Sequence, residues 1–351
     1  MTTVSSLPAY GDFVSQVEQE SVRAGRRWPF AVLTVIGVLL VAAPLVTGMF
    51  PRAIKGEAMI DAFQPYVSAQ SIAGYRDDLR VLDDARANVL ALQANSQQPG
   101  RFERVETFVR DYPGIRSDLT GMLDSIDGNR ESFGKLSSTT SFGSLPWLLA
   151  LAGLLLITAG LFGYRAAGDS ERGTIWYSLA VLAALGLLAV PLTGGLFRAA
   201  PAAQPVIDSF RPILTHQKVR EIQGYFVILV AADGELNSRY VAAVRETHPD
   251  ADLTGITALE TSWQPMTARF AALVGVLNDN IRNFDAVVAL NNSTKPLGFT
   301  AFHGLGWGFL IPGVAVLGVA LAGLWRRPAD SSARIPRTDS GAAHSTEGDP
   351  T

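Results

Sequence analysis

The sequence predicts an all-α integral membrane protein: four transmembrane helices in two tandem (parallel) repeats, each repeat with an extracytoplasmic helical domain between its spans. Three observations predict this. Four stretches of about 20 residues or more lack Asp, Glu, Lys and Arg. A 22-residue segment recurs 147 residues further on. The intervening segments carry apolar residues at helical spacing.

The bulk properties agree. The 351 residues are 48% hydrophobic and 17% charged, against about 25% charged in an average soluble chain. A formal charge of −3 gives no overall pull toward nucleic acid. Without cysteine, the chain has no disulfides, thiolate metal sites or cysteine nucleophiles.

In chain order, a cytoplasmic N-terminal tail covers 1–28 and the first span 29–50. Val41-Ala42-Ala43 behind the basic flank Arg23, Arg26 and Arg27 resembles a signal-peptide cleavage site. The segment is longer than a signal core and its end recurs in the third span, so it reads as a retained signal anchor. An extracytoplasmic helical domain follows at 51–144, then a second span at 145–164, a cytoplasmic turn at 165–173 and a third span at 174–197. A second extracytoplasmic domain covers 198–296, and the fourth span 297–325. The tail at 326–351, rich in Ser, Asp, Pro and Gly, reads as disordered and cytoplasmic. Arg26-Arg27, Arg165, Arg172 and Arg326-Arg327 flank the spans on one side, which the positive-inside rule assigns to the cytoplasm. The chain is expected in the bacterial inner membrane, multi-pass, with both termini inside.

From Pro44 to Pro65 and from Pro191 to Pro212, nine of 22 ungapped positions are identical, where chance gives about one or two. Pro44, Gly48, Phe50, Asp61, Phe63 and Pro65 correspond to Pro191, Gly195, Phe197, Asp208, Phe210 and Pro212. Similarity resumes at Ile72–Tyr75 and Ile222–Tyr225, at Val109–Asp111 and Val244–Glu246, and at Asp118–Gly121 and Asp252–Gly255. Two spans return the chain to its starting side, so the units share one orientation about an axis along the membrane normal. The repeated Pro-Leu-x-x-Gly-x-Phe sits where each unit leaves its first span. The prolines are expected to bend the helix there and set a shared exit geometry.

In the first domain Tyr75, Leu79, Leu82, Val89 and Leu92 form one apolar stripe, which Arg86 interrupts. Ile115, Leu119, Met122, Ile126, Phe133 and Leu136 form another. Turns are expected at Gln97–Gly100 and at Pro113-Gly114. In the second domain Phe270, Leu273, Leu277, Ile281, Phe284 and Val288 continue the pattern. Tyr225–Ala232 has strand propensity, but the repeat sets it opposite a helical segment. It reads as a helix buried on more than one face.

No catalytic, cofactor or metal site emerges. His216, His248, His303 and His344 share no metal-ligand spacing. The oxygen-rich Asp233-Gly234-Glu235-x-Asn237 is too short for a calcium loop. Gly304/Gly308, Ala159/Gly163 and Ala180/Ala184 are small pairs that let helices approach. Of the repeated residues, Asp61 and Asp208 are expected in helix caps or structural salt bridges. The expected function is that of a non-enzymatic scaffold or accessory subunit of a cell-envelope complex. Its partners would be the lipid bilayer and an envelope protein. A subunit of a lipid or solute transporter and an extracytoplasmic ligand sensor acting through partners are the alternatives.

Overall fold

The computed structural model describes residues 10–98, 100–138, 141–167 and 170–325, and among these the regular structure is entirely helical. The expected disordered tail at 326–351 lies outside the described residues. The expected turn at Gln97–Gly100 includes Pro99, also outside them, but the chain does break there, between helices.

Helix α1 (Tyr10–Val46) begins well inside the segment assigned to the tail and continues into the first span. It ends earlier than expected because Gly48 lies in the left-handed region, at φ 61° and ψ 33°. That conformation breaks an α-helix and costs glycine least. Helix α2 (Met49–Phe63) starts at once in a new direction. After a turn, the Ser68 hydroxyl accepts from the Ser71 N–H and caps α3 (Ala69–Ala94). Helices α4 (Glu103–Gly128) and α5 (Arg130–Ser137) lead to α6 (Leu145–Arg165).

The same local events then recur. Helix α7 (Ser170–Thr193) stops before Gly195, at φ 69° and ψ 14°, and α8 (Leu196–Phe210) begins. The Thr215 hydroxyl caps α9 (His216–Glu235) by accepting from the Lys218 N–H. A π-helical turn, Leu236–Tyr240, joins α9 to α10 (Val241–Thr247). Helix α11 (Thr254–Asn292) is one long helix, and α12 (Ala301–Trp325) follows. The fourth span therefore starts at Ala301 rather than 297, after a 3₁₀ turn and Gly298 at φ 89°. In both halves the glycine, and not the proline four residues before it, ends the span.

Four helices are long and apolar enough to cross a membrane: Arg27–Val46, Phe142–Arg165, Glu171–Thr193 and Ala301–Trp325. They pack as the pairs α1 with α6 and α7 with α12, joined chiefly through α6 and α7. Gly37 and Gly153 make the first pair close, since a Cβ on either would lie 2.7 Å from the other's carbonyl oxygen. Gly163 faces Phe30, and Ala159, Ala180 and Ala184 are fully buried, so those small pairs do serve packing. Gly304 and Gly308 do not. Gly304 backs onto Phe299 in its own half and Gly308 faces open space.

Beyond the spans, the two halves do not build separate bundles. Helix α3 lies along α11 and α4 along α9, while α2 packs on α11 and α8 on α5. A distal apolar cluster accordingly joins Leu82, Val89, Phe108 and Tyr112 of one half to Leu229, Tyr240, Ile256 and Leu259 of the other. Polar groups lock this exchange. Asn88 on α3 reaches the start of α11, donating to the Asp252 carbonyl at 2.8 Å and accepting from the Ile256 N–H at 3.2 Å. Glu235, 147 residues on, reaches the start of α4 and accepts from the Arg104 and Val105 N–H groups at 2.7 and 3.1 Å. The bonds from Ile256, Arg104 and Val105 satisfy N–H groups that a helix start leaves open.

Ion pairs cross the same two seams. Asp78, 7% exposed, receives Arg269 of α11 through Nε at 3.1 Å and through Nη2. Lys218 of α9 donates to both oxygens of Asp118 on α4 at 2.6 Å. Counted from the starts of α4 and α11, Asp118 and Arg269 stand at the same helical position.

Three expectations need correction. Tyr225–Ala232 is helical, but only one face is buried: Leu229 and Ala232 point inward, whereas Val227 and Val230 are 66% and 43% exposed. The later sequence matches fall on elements with different places in the fold. Val109–Asp111 is inside α4 and Val244–Glu246 in α10, and Asp118 is inside α4 whereas Asp252 precedes α11. Matches of three or four residues are short enough to arise from composition.

Pro113-Gly114 is not a turn, because α4 runs through it. Proline at 113 cannot donate to the Val109 carbonyl. Arg86 replaces the missing donor, with Nε 2.8 Å from that carbonyl oxygen. The arginine that breaks the apolar stripe thus repairs the helix opposite. Replacing Arg86 with Met should lower stability by about 1–3 kcal/mol. The loss should shrink in a Pro113→Ala background, where residue 113 regains its N–H. Thermal unfolding of the four proteins in one detergent measures the coupling, and strictly additive losses would refute the assignment.

Candidate functional site

The repeated motif marks the place where spans meet the helical body. Pro44 and Pro191 are buried near the ends of α1 and α7, and the glycines turn the chain. Phe50 sets its ring against the edge of Trp147, with centroids 4.8 Å apart. Phe197 does the same with Trp307 at 5.6 Å. Such aromatic groups suit the boundary between hydrocarbon and water. Phe63 and Phe210 meet each other edge to face, 5.4 Å apart and each 2% exposed. Two residues of the recurring motif, 147 apart in the chain, thus touch.

The other motif residues carry no chemistry in common. Pro65 and Pro212 lie exposed in the turns after α2 and α8, and the Pro65 carbonyl accepts from the Ser71 hydroxyl at 2.7 Å. Asp208 accepts from Gln204 and lies 3.6 Å from Arg211, with both side chains 55% exposed. Asp61 is exposed on α2.

The space between α2 and α8 is more informative. A small chamber of about 60 Å³ lies there, walled by Gly56, Met59, Ala199, Ala203, Val287 and Phe302. Small residues on facing helices make the room. At Gly56 a Cβ would already crowd Phe142 and Val287 at 3.2 Å. The chamber is almost wholly apolar, and its walls offer no cluster of polar groups to hold water.

Phe302 and Leu305 separate this chamber from a larger groove of about 820 Å³ and belong to the wall of both. The groove runs between the end of α1 and the start of α12, over Pro44, Thr47, Leu290, Leu297, Trp307 and Ile311. It opens on the flank of two candidate spans. Sequence reasoning missed the chamber, although the small residues Ala199, Ala200 and Ala203 stand at helical spacing on α8.

Outside this region the titratable groups hold the body together. The weak calcium candidate is divided between two tasks: Glu235 caps α4, and Asp233 accepts from Asn237 at 2.9 Å, one turn further along the chain. No group of three or more His, Cys, Asp or Glu that could hold a metal occurs among the described residues. Tyr240 is fully buried against Phe102, and burial pushes its phenol up to about 12. Burial also pushes the Asp233 carboxyl up to about 6, Glu260's charge adding to it and the Asn237 hydrogen bond opposing it.

Compared with family models, curated proteins and solved structures, the chain matches none.

The Asp233 carboxyl holds its proton in the folded protein at a pH where the unfolded chain has lost it. Its contribution to stability is therefore full below about 4 and lost as pH rises through about 6. Asp233→Asn should raise the melting temperature at pH 7.5 and leave it nearly unchanged at pH 3.5. An equal rise at both values would show that burial does not perturb this carboxyl.

Proposed function

We propose that this chain is a non-enzymatic, multi-pass protein of the bacterial inner membrane that serves as a scaffold or accessory subunit of an envelope complex. In this reading both termini are cytoplasmic and helices α2–α5 and α8–α11 form a single extracytoplasmic body. The two halves descend from a tandem duplication, about an axis through the Phe63–Phe210 contact along the membrane normal. The recurrence of turn, cap and trans-capping residue at one 147-residue offset supports that descent.

One observation carries the scaffold reading. Helix α9, outside the spans, exposes Val227 and Val230 beside the stacked rings of Phe226 and Phe270. This is an apolar strip on the exposed face of α9. The polar clusters nearby are engaged in holding helices together, which suits a rigid docking platform better than a reaction centre. The transport alternative draws on the apolar groove beside α1 and α12. The sensor alternative called for a polar enclosed pocket, and the chamber between α2 and α8 is apolar.

A photoreactive residue at Val227 should capture one envelope protein in intact cells, identified by mass spectrometry after mild-detergent purification. The double variant V227E/V230E should lose that protein while keeping the melting temperature of the parent. An impermeant maleimide should label Ser96→Cys and spare Asp169→Cys in the same cells. Recovery of the chain without a stoichiometric partner would sink the scaffold reading, and the reverse labelling pattern would sink the orientation.

A further inference from the structure

The groove between α1 and α12 has a built interior that a mere gap between spans would lack. Its outer part lies on the flank of two helices apolar enough to cross a membrane, so the medium it faces there is hydrocarbon. Its wall is nearly all carbon, from Pro44 and Met49 on one side to Trp307 and Ile311 on the other. The connection before α12 leaves Leu297 73% and Phe299 46% exposed, next to Lys295. That arrangement suits a segment seated at the bilayer surface. Inward, the groove ends on Phe302 and Leu305, and the chamber between α2 and α8 begins on their other side.

An empty chamber leaves its wall atoms without partners on one side and forfeits their dispersion contacts. Water would find few polar partners there. A hydrocarbon chain meets both conditions. It gains no hydrophobic energy by moving from lipid into the groove, so its hold must come from close packing. The small residues Gly56, Ala199 and Ala203 give that packing its shape.

We propose that the groove and the chamber together form a binding site for one acyl chain of a membrane phospholipid. The chain enters sideways between α1 and α12 and passes over Phe302 and Leu305, which line both spaces. Its end lies against Gly56 and Ala203, beside the Phe63–Phe210 contact region. This site does not depend on the scaffold reading: a lipid held there could brace α2 against α8 in a platform or be cargo in a transporter.

The test uses the full-length protein in nanodiscs of phosphatidylethanolamine and phosphatidylglycerol. A phosphatidylglycerol carrying a diazirine at the end of one acyl chain is included, and adducts are mapped by peptide mass spectrometry after irradiation. Adducts are expected on chamber residues such as Met59 and Ala203, besides those on lipid-facing residues such as Val314. Ala203→Phe should cut the remaining chamber adducts, at Met59, about tenfold and leave those at Val314 unchanged. Gly308→Leu is the second variant. Its new side chain enters open space within the groove, so it disturbs no packing, and it too should lower the Met59 adduct several-fold. Adducts confined to the exposed faces of the spans would overturn the proposal. A Met59 adduct that survives both variants would also overturn it.

Discussion

A helix that starts inside a protein leaves N–H groups that must find acceptors, and here two long helices find them in the opposite half of the chain. Glu235 accepts from the Arg104 and Val105 N–H groups at the start of α4, and Asn88 from the Ile256 N–H at the start of α11, where Asp252 of the same half takes the Thr254 N–H. Capping contacts of this kind contribute about 1 kcal/mol each, a modest amount beside the apolar burial around them. Their importance lies in geometry. They fix how far α3 slides along α11 and α9 along α4, and so set which side chains meet in the distal cluster. With that register fixed, Asp78 finds Arg269 and Lys218 finds Asp118.

The charge order at those two seams is reversed. Asp118 and Arg269 stand equally far from the starts of α4 and α11, yet one is acidic and the other basic. A symmetric pair of like groups would serve a dimer of identical units. Opposite groups favour the pairing of one half with the other over a half with its own copy, since like charges would then face each other.

The four long apolar helices were legible in the sequence because a long run without charge is costly to keep in water and suits a bilayer. Their ends were less so. Length alone carried the first span to Phe50, whereas the left-handed backbone at Gly48 stops it before that residue. Helical periodicity located the stripes of the body, including Leu79, Leu119 and Leu277, all buried as expected. It could not say which stripe faces which, since any two apolar faces of similar length are compatible. Arg86 shows the limit most plainly. In the sequence it interrupts a stripe and Pro113 ends a helix, and only their proximity reveals that each accommodates the other. The chamber between α2 and α8 was equally hidden, because a row of alanines reads as close packing until its partner helix also proves to carry glycine.

The two halves share one core, and neither is a complete folding unit. Expressing residues 1–168 and 169–351 as separate chains tests it directly. Together they should co-purify in equal amounts, with backbone amides of α3, α4, α9 and α11 protected from hydrogen exchange as in the intact protein. Each half alone should leave those same amides unprotected. Protection of α3 and α4 in the first half by itself would contradict the account.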